Sequence, residues 1–167
     1  MTSVVVPTRD AMHDLGAHLA PVLRAGDLVV HNGGLGAGKT TLTQGIGRGL
    51  RVRGDVTSPT FVIARVHPSL VGGPSLVHVD AYRLGSLDEI DDLDLDTSLE
   101  SSVTVVEWGE DKVDDLSDDR LVVTLVRPVG GSLSTDDADE PRTVSLHGVG
   151  ERWSGVDLDA VLTKAAP

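Results

Sequence analysis

The stretch HNGGLGAGKTTLTQG, His31–Gly45, sets Gly33, four further residues, and then Gly38, Lys39 and Thr40 in succession. That is the spacing of a phosphate-cradling loop, in which glycines let backbone N–H groups converge on phosphate oxygens. Before it, DLVVH (27–31) reads as a short buried strand. After it, KTTLTQGIGRGL (39–50) reads as a helix whose positive dipole end faces the same point. Strand, glycine loop and helix in that order point to a bound nucleoside triphosphate. Gly33, Gly34, Leu35, Gly36, Ala37, Gly38, Lys39, Thr40 and Thr41 would form its cradle. Lys39 would reach the β and γ phosphates, and Thr40 would place its hydroxyl on Mg²⁺.

The rest of the chain is compatible with this core. At 167 residues, one α/β domain spanning 1–167 would bury roughly 70% of the surface its unfolded form exposes. Aromatic residues make up only 2% of the sequence, so Val, Leu, Ala and Ile must build the core, as in a parallel sheet covered by helices. The expected fold is a P-loop NTPase-like domain: a mostly parallel central sheet flanked by helices, with a C-terminal antiparallel hairpin.

Around the loop, PTRDAMHDLGAHLAPVLRAGD (7–27) carries Met12, Leu15, Leu19, Val22 and Leu23 at spacings of three and four. It predicts an amphipathic helix capped by Thr8 and kinked or ended by Pro21. A loop is expected at Val56–Thr60, followed by strands over Phe61–His67, SLVHVD (75–80) and SSVTVVE (101–107). Ser86 and Glu89 stand in capping-box spacing and predict a short helix. DDRLVVTLVRP (118–128) and RTVSLHGVG (142–150) predict the hairpin, joined by an acidic loop that ends at Glu140. A final helix is capped by Ser154 or Asp157.

Charge and composition exclude several classes. The formal net charge is −12, which at long range repels nucleic-acid phosphates and disfavours extensive direct RNA or DNA binding. There is no cysteine, hence no thiol nucleophile, thiolate metal site or disulfide. No basic, apolar leader and no span of roughly 20 apolar residues is visible, which by default gives a cytoplasmic location. The six histidines offer no i, i+4 pair on one helix and read as structural. Neither a hydrolase elbow nor a dinucleotide glycine signature is present.

A Mg²⁺ site for a triphosphate takes one or two carboxylates, found in this fold at the carboxyl ends of strands. Asp80 closes LVHVD and Glu107 closes VTVVE. Either could bind Mg²⁺, and Glu107 could instead orient the attacking water. A surface acid or helix cap would account for one such residue, but two acids ending two apolar strands favour function. Asp88, Asp91, Asp92, Asp94 and Asp96 read as a solvated face. No Asn-Lys-x-Asp guanine reader is present, so ATP is the expected nucleotide.

Four ordered segments go beyond a generic loop: GLGAGKTT (34–41), TSPTF (57–61), HVDAYRL (78–84) and VEWGE (106–110). Together they resemble the TsaE (YjeE-like) family, the small ATPases of bacterial tRNA N6-threonylcarbamoyladenosine synthesis, over about Leu28–Arg127. The resemblance implies a Mg-dependent ATPase, weak in isolation, that works with TsaB- and TsaD-type proteins. In that scheme the TsaD-type partner transfers the threonylcarbamoyl group, and this chain meets tRNA only through the complex. Carried over by position, Lys39, Asp80 and Glu107 are catalytic, and Thr40, Glu107 and Asp80 hold the metal. Thr57, Ser58, Pro59 and Thr60 form a switch-like loop, and Trp108 lies beside the nucleotide, although simple packing would account for Trp108 equally well. Tyr82 and Arg83 match D-x-Y-R. Gly34 departs from the Asp common in the family. A small-molecule or nucleoside kinase and a nucleotide-gated interaction module remain as alternatives.

Overall fold

The computed structural model describes residues 1–57, 64–81, 99–108, 117–128 and 140–165. The expected helix from Ser86, the acids Asp88 to Asp96, Tyr82, Arg83, Ser58–Thr60 and most of the acidic loop lie outside the described residues.

Valine-rich runs form a seven-stranded sheet: β1 (Thr2–Val6), β2 (Leu28–Asn32), β3 (Ala64–His67), β4 (Ser75–Asp80), β5 (Ser102–Glu107), β6 (Arg120–Val126) and β7 (Arg142–Val149). Their spatial order is β1-β7-β6-β2-β5-β4-β3. The four central strands β6, β2, β5 and β4 are mutually parallel. Antiparallel pairs complete both edges, β6–β7–β1 on one side and β4–β3 on the other. The sheet is therefore mixed, with the expected parallel centre and the expected β6–β7 hairpin.

Burial follows that topology. Every residue of β5 is buried, as expected for a strand covered on both faces, whereas β6 alternates buried and partly exposed positions. Strand β1 is absent from the expectations above. Its five residues alternate too weakly to announce a strand, and they are recruited by pairing with β7, Thr2 opposite Leu146.

Helices α1 (Arg9–Leu19), α2 (Lys39–Leu50) and α3 (Leu158–Ala165) contribute to the larger of two apolar clusters, with Val29, Leu76, Val103 and Val105 supplying its sheet face. Leu28, Val30, Val77, Val79 and Val106 form the smaller cluster on the opposite face. Thr8 caps α1 by accepting from Ala11 N at 3.1 Å. Pro21 falls in the 3₁₀ turn that ends it. Asp157, not Ser154, caps α3, accepting from Ala160 N at 3.0 Å. The entry to β2 is pinned by a fork from Arg152, whose Nε and Nη2 reach the two Asp27 oxygens at 2.9 and 2.8 Å. No helix among the described residues is long and apolar enough to cross a membrane.

The position of α2 is set by glycines that look unsuited to a helix. A Cβ on Gly45 would lie 2.2 Å from the His13 carbonyl oxygen, one on Gly16 would lie 2.4 Å from that of Leu42, and one on Gly49 would strike Ala20. The backbones of α1 and α2 thus touch, which fixes where the first turn of α2 sits relative to the strand ends. Intrinsic propensity alone would make Gly45→Ala stabilising by about 1 kcal/mol. The backbone contact predicts instead a net loss of roughly 1–3 kcal/mol from forced separation of the helices, measurable by urea unfolding. A rise in stability would contradict the packing described.

Candidate functional site

The glycine loop joins the end of β2 to the start of α2 and is held by two tight approaches. Gly33 adopts φ 152° and a Cβ there would lie 2.6 Å from the Leu125 carbonyl oxygen. Gly38 caps α2 in the left-handed region at φ 101°, where an L side chain is strained. Gly34, by contrast, has open space around its missing Cβ, so a Cβ there meets no neighbour. Leu35 is exposed at the tip.

Lys39 is buried and crosses the loop, its Nζ donating to the carbonyls of Gly33 at 2.7 Å and Gly34 at 2.9 Å. The same ammonium lies 3.7 Å from the centre of the Trp108 ring, a cation–π contact. Trp108 reaches that position through a left-handed backbone, φ 62°, immediately after β5, with its N–H donating to the His31 carbonyl at 3.1 Å. Burial lowers the Lys39 pKa, and the carboxylates of Glu107 and Asp80 oppose the shift.

Alternation along the strands gathers the remaining groups on the face that α2 covers. Glu107 pairs in register with His31 on β2 and Asp80 on β4. Glu107 is 2% exposed and its carboxylate therefore depends on protein donors. His78 Nε2 lies 2.7 Å from Oε1 and Thr40 Oγ1 donates to Oε2 at 3.3 Å, while Thr43 Oγ1, 3.5 Å from Oε1, gives its single proton to the Lys39 carbonyl at 3.0 Å. Burial by itself would raise the Glu107 pKa. The His78 hydrogen bond and positive potential, with His31 and the Thr40 hydroxyl, outweigh it and hold the carboxyl below its ordinary value.

The donor set fits a hard divalent cation. Hydroxyl and carboxylate oxygens from Thr40 and Glu107 meet at the N-terminus of α2, and Asp80 ends the adjacent strand in register. No group of three or more His, Asp or Glu residues among the described residues forms a metal cage. Mg²⁺ bound beside phosphates does not require one.

Lys39 thus meets Trp108 and Thr40 meets Glu107, two neighbouring pairs, with Asp80 at the adjacent strand end. Thr57 stands apart: it accepts from Arg65 at 3.2 Å and lines a cleft of about 900 Å³ beside Arg9, Arg48 and Arg51. None of the loop residues, Asp80 or Glu107 lines that cleft. The preceding residue, Val56, is tied to α2 by Gln44 Nε2 at 2.8 Å.

Two groups beside the site escaped the sequence reading. His31 and His78 are fully buried around Glu107. Their only sequence signal was a polar residue inside an apolar strand. Arg142 donates to the Gly36 carbonyl at 3.4 Å. Arg127, paired with Glu140, brings Nη1 within 3.5 Å of the place a Gly36 Cβ would occupy. Both arginines follow or open hairpin strands and are distant from the loop in sequence.

With this geometry in place, comparison with known proteins gives a consistent result. The family model described as "Threonylcarbamoyl adenosine biosynthesis protein TsaE" matches residues 6–130. The chain is 63% identical over 151 residues to the tRNA threonylcarbamoyladenosine biosynthesis protein TsaE of Streptomyces coelicolor, covering 90% of this chain and 99% of the relative. It is 52% identical over 120 residues to that of Mycobacterium tuberculosis, covering 68% and 71% of the two chains. The crystal structure of Bacillus subtilis YdiB shares the fold, with a TM-score of 0.70 at 24% identity over 98% of this chain and 93% of that one. The chain belongs to the TsaE family.

The buried histidine beside Glu107 makes stability pH-dependent. Burial pushes His31 down to about 4 from 6.5; the Glu107 charge opposes this, while His78 and Lys39 add to it. The unfolded chain takes up that proton near pH 6.5 and the folded chain only near 4. Folding stability therefore falls as pH drops through this window, by up to about 3 kcal/mol from this group. Urea unfolding between pH 7 and 4.5 should show the decline, and His31→Gln should flatten it. An equally steep slope in the variant would contradict the assignment.

Proposed function

We propose that this TsaE-family chain binds ATP with Mg²⁺ on the 33–41 loop. In this reading it hydrolyses ATP in support of tRNA threonylcarbamoyladenosine formation, together with TsaB- and TsaD-type proteins. The observation that carries the reading is a buried carboxylate, Glu107, hydrogen-bonded to Thr40 at the start of α2 directly behind the glycine loop. Family membership supplies the pathway.

The loop amides and the N-terminus of α2 would bind the phosphates, and Lys39 would exchange its two neutral carbonyl partners for phosphate oxygens. An ammonium gains more from an ionised acceptor than from a carbonyl, so the exchange is favourable. Thr40 and Glu107 would hold Mg²⁺, with Asp80 on the adjacent strand. The metal, when bound, supplies Lewis-acid neutralisation of charge on the phosphoryl oxygens. Glu107 Oε2, facing Thr40, is the oxygen available to the metal or to a water, because Oε1 is engaged by His78. Trp108 keeps Lys39 over the loop and covers one side of it.

The net charge of −12 fits a subunit that acts through protein partners rather than on RNA directly. Completion of the site by a partner would leave the isolated chain a weak ATPase. The test is ATP turnover by the chain alone and with TsaB- and TsaD-type proteins and substrate tRNA, followed by nucleoside analysis. Stimulated turnover with accumulating modified adenosine is expected. Hydrolysis indifferent to the partners but accelerated by a small acceptor would favour a kinase instead. Lys39→Ala should weaken ATP binding at least tenfold. Glu107→Gln should cut hydrolysis by about 10²-fold and lower Mg²⁺-dependent ATP affinity by at least the roughly 10-fold that loss of an outer partner costs, with affinity in chelator unchanged. Unchanged turnover in Glu107→Gln would remove Glu107 from the metal site.

A further inference from the structure

We infer that His78 is a positioning residue for Glu107: it clamps one carboxylate oxygen so that the other is presented to Thr40 and the metal. The inference rests on the Mg-ATP reading above and specifies how the metal-binding oxygen is selected.

A histidine inside a strand could be inert filling. Its surroundings argue otherwise. His78 is fully buried at the centre of β4, where its imidazole needs a polar partner that an apolar residue would not require. The partner is Glu107 Oε1 at 2.7 Å. A carboxylate only accepts, so the proton of this bond resides on His78 Nε2. The Thr40 bond at 3.3 Å is long and weakly constraining, and Thr43, 3.5 Å away, gives its proton to the Lys39 carbonyl at 3.0 Å. Among these donors only His78 is close enough to fix the carboxylate plane.

The sheet explains why β4 provides this residue. Asp80 is in register with Glu107, and His78 lies two residues earlier on the same face, opposite Val105. One strand therefore carries an acid at the rim and, one layer below, the donor that orients the neighbouring acid. His31, although directly in register with Glu107, is engaged with Thr43 Oγ1 at 3.4 Å. Without His78, Oε1 would lose its short bond and the carboxylate could turn, so the cost should fall on metal affinity rather than on nucleotide contacts. Loss of such an outer partner typically lowers metal affinity by about 10–100-fold.

The test compares His78→Leu, which removes the donor, with His78→Gln, whose amide nitrogen can stand near the imidazole Nε2. Binding of a β,γ-imido ATP analogue is measured by calorimetry with Mg²⁺ and with chelator, beside urea unfolding of each variant. His78→Leu should lose roughly 10–100-fold of the Mg²⁺-dependent gain in affinity with chelator-state affinity unchanged. His78→Gln should recover most of the gain. A purely structural role would lower stability in both variants and leave the Mg²⁺ dependence of the folded fraction intact, overturning the inference. Wild-type protein lacking any Mg²⁺ dependence would overturn the metal-site reading itself, and the inference with it. Should His78→Leu fail to fold, the wild-type imidazole decides: long-range ¹H–¹⁵N correlations should place its proton on Nε2, and a proton on Nδ1 alone would overturn the clamp.

Discussion

A carboxylate withdrawn from water dictates much of the centre of this molecule. Glu107 ends a strand buried along its whole length, and an ionised group there is tolerable only with donors aimed at it. Those donors come from two elements, Thr40 from α2 and His78 from β4, and the carboxylate stands in register with His31 of β2. Satisfying one side chain therefore couples the first turns of α2 to three parallel strands. The glycine contacts between α1 and α2 make this coupling rigid, since helices in backbone contact have little room to slide.

The same arrangement accounts for the loop. With α2 fixed, the chain has only the residues from Gly33 to Gly38 in which to pass from β2 to the helix, and left-handed glycines make the short passage possible. Lys39 emerges at the first position of α2 and turns back over the loop, between its carbonyls and the Trp108 ring. Cation, hydroxyl and carboxylate are thereby gathered at a helix N-terminus, where anions are favoured. Family membership places the chain in tRNA threonylcarbamoyladenosine biosynthesis.

Much of this was legible in sequence because it is local. The glycine spacing, the strand before it and the helix after it appear as read, and the acids ending VTVVE and LVHVD stand at adjacent strand ends in register. What escaped notice depends on contacts between distant segments. Strand β1 exists because β7 offers it an edge. The helix over 39–50 appears as read, but the backbone contact of Gly45 and Gly49 with the 13–20 segment shows only in the structure. His78 reads as a structural histidine until the parallel register of β4 and β5 brings it beside Glu107. Arg127 reaches the loop because β6 pairs with β2, and Arg142 only through the return of the hairpin on β7. Thr57 is described and faces a separate cleft, while Ser58, Pro59 and Thr60 lie outside the described residues.

The site proposed on the 33–41 loop and Glu107 is one for a magnesium-bound triphosphate. The most direct measurement is the affinity of the purified wild-type chain for ATP, ADP and adenosine, each with Mg²⁺ and with chelator. The account predicts that affinity resides in the phosphates: ATP binds with Mg²⁺ and weakens in chelator, and adenosine binds far more weakly under both conditions. Equal affinity for adenosine and ATP, indifferent to Mg²⁺, would contradict it.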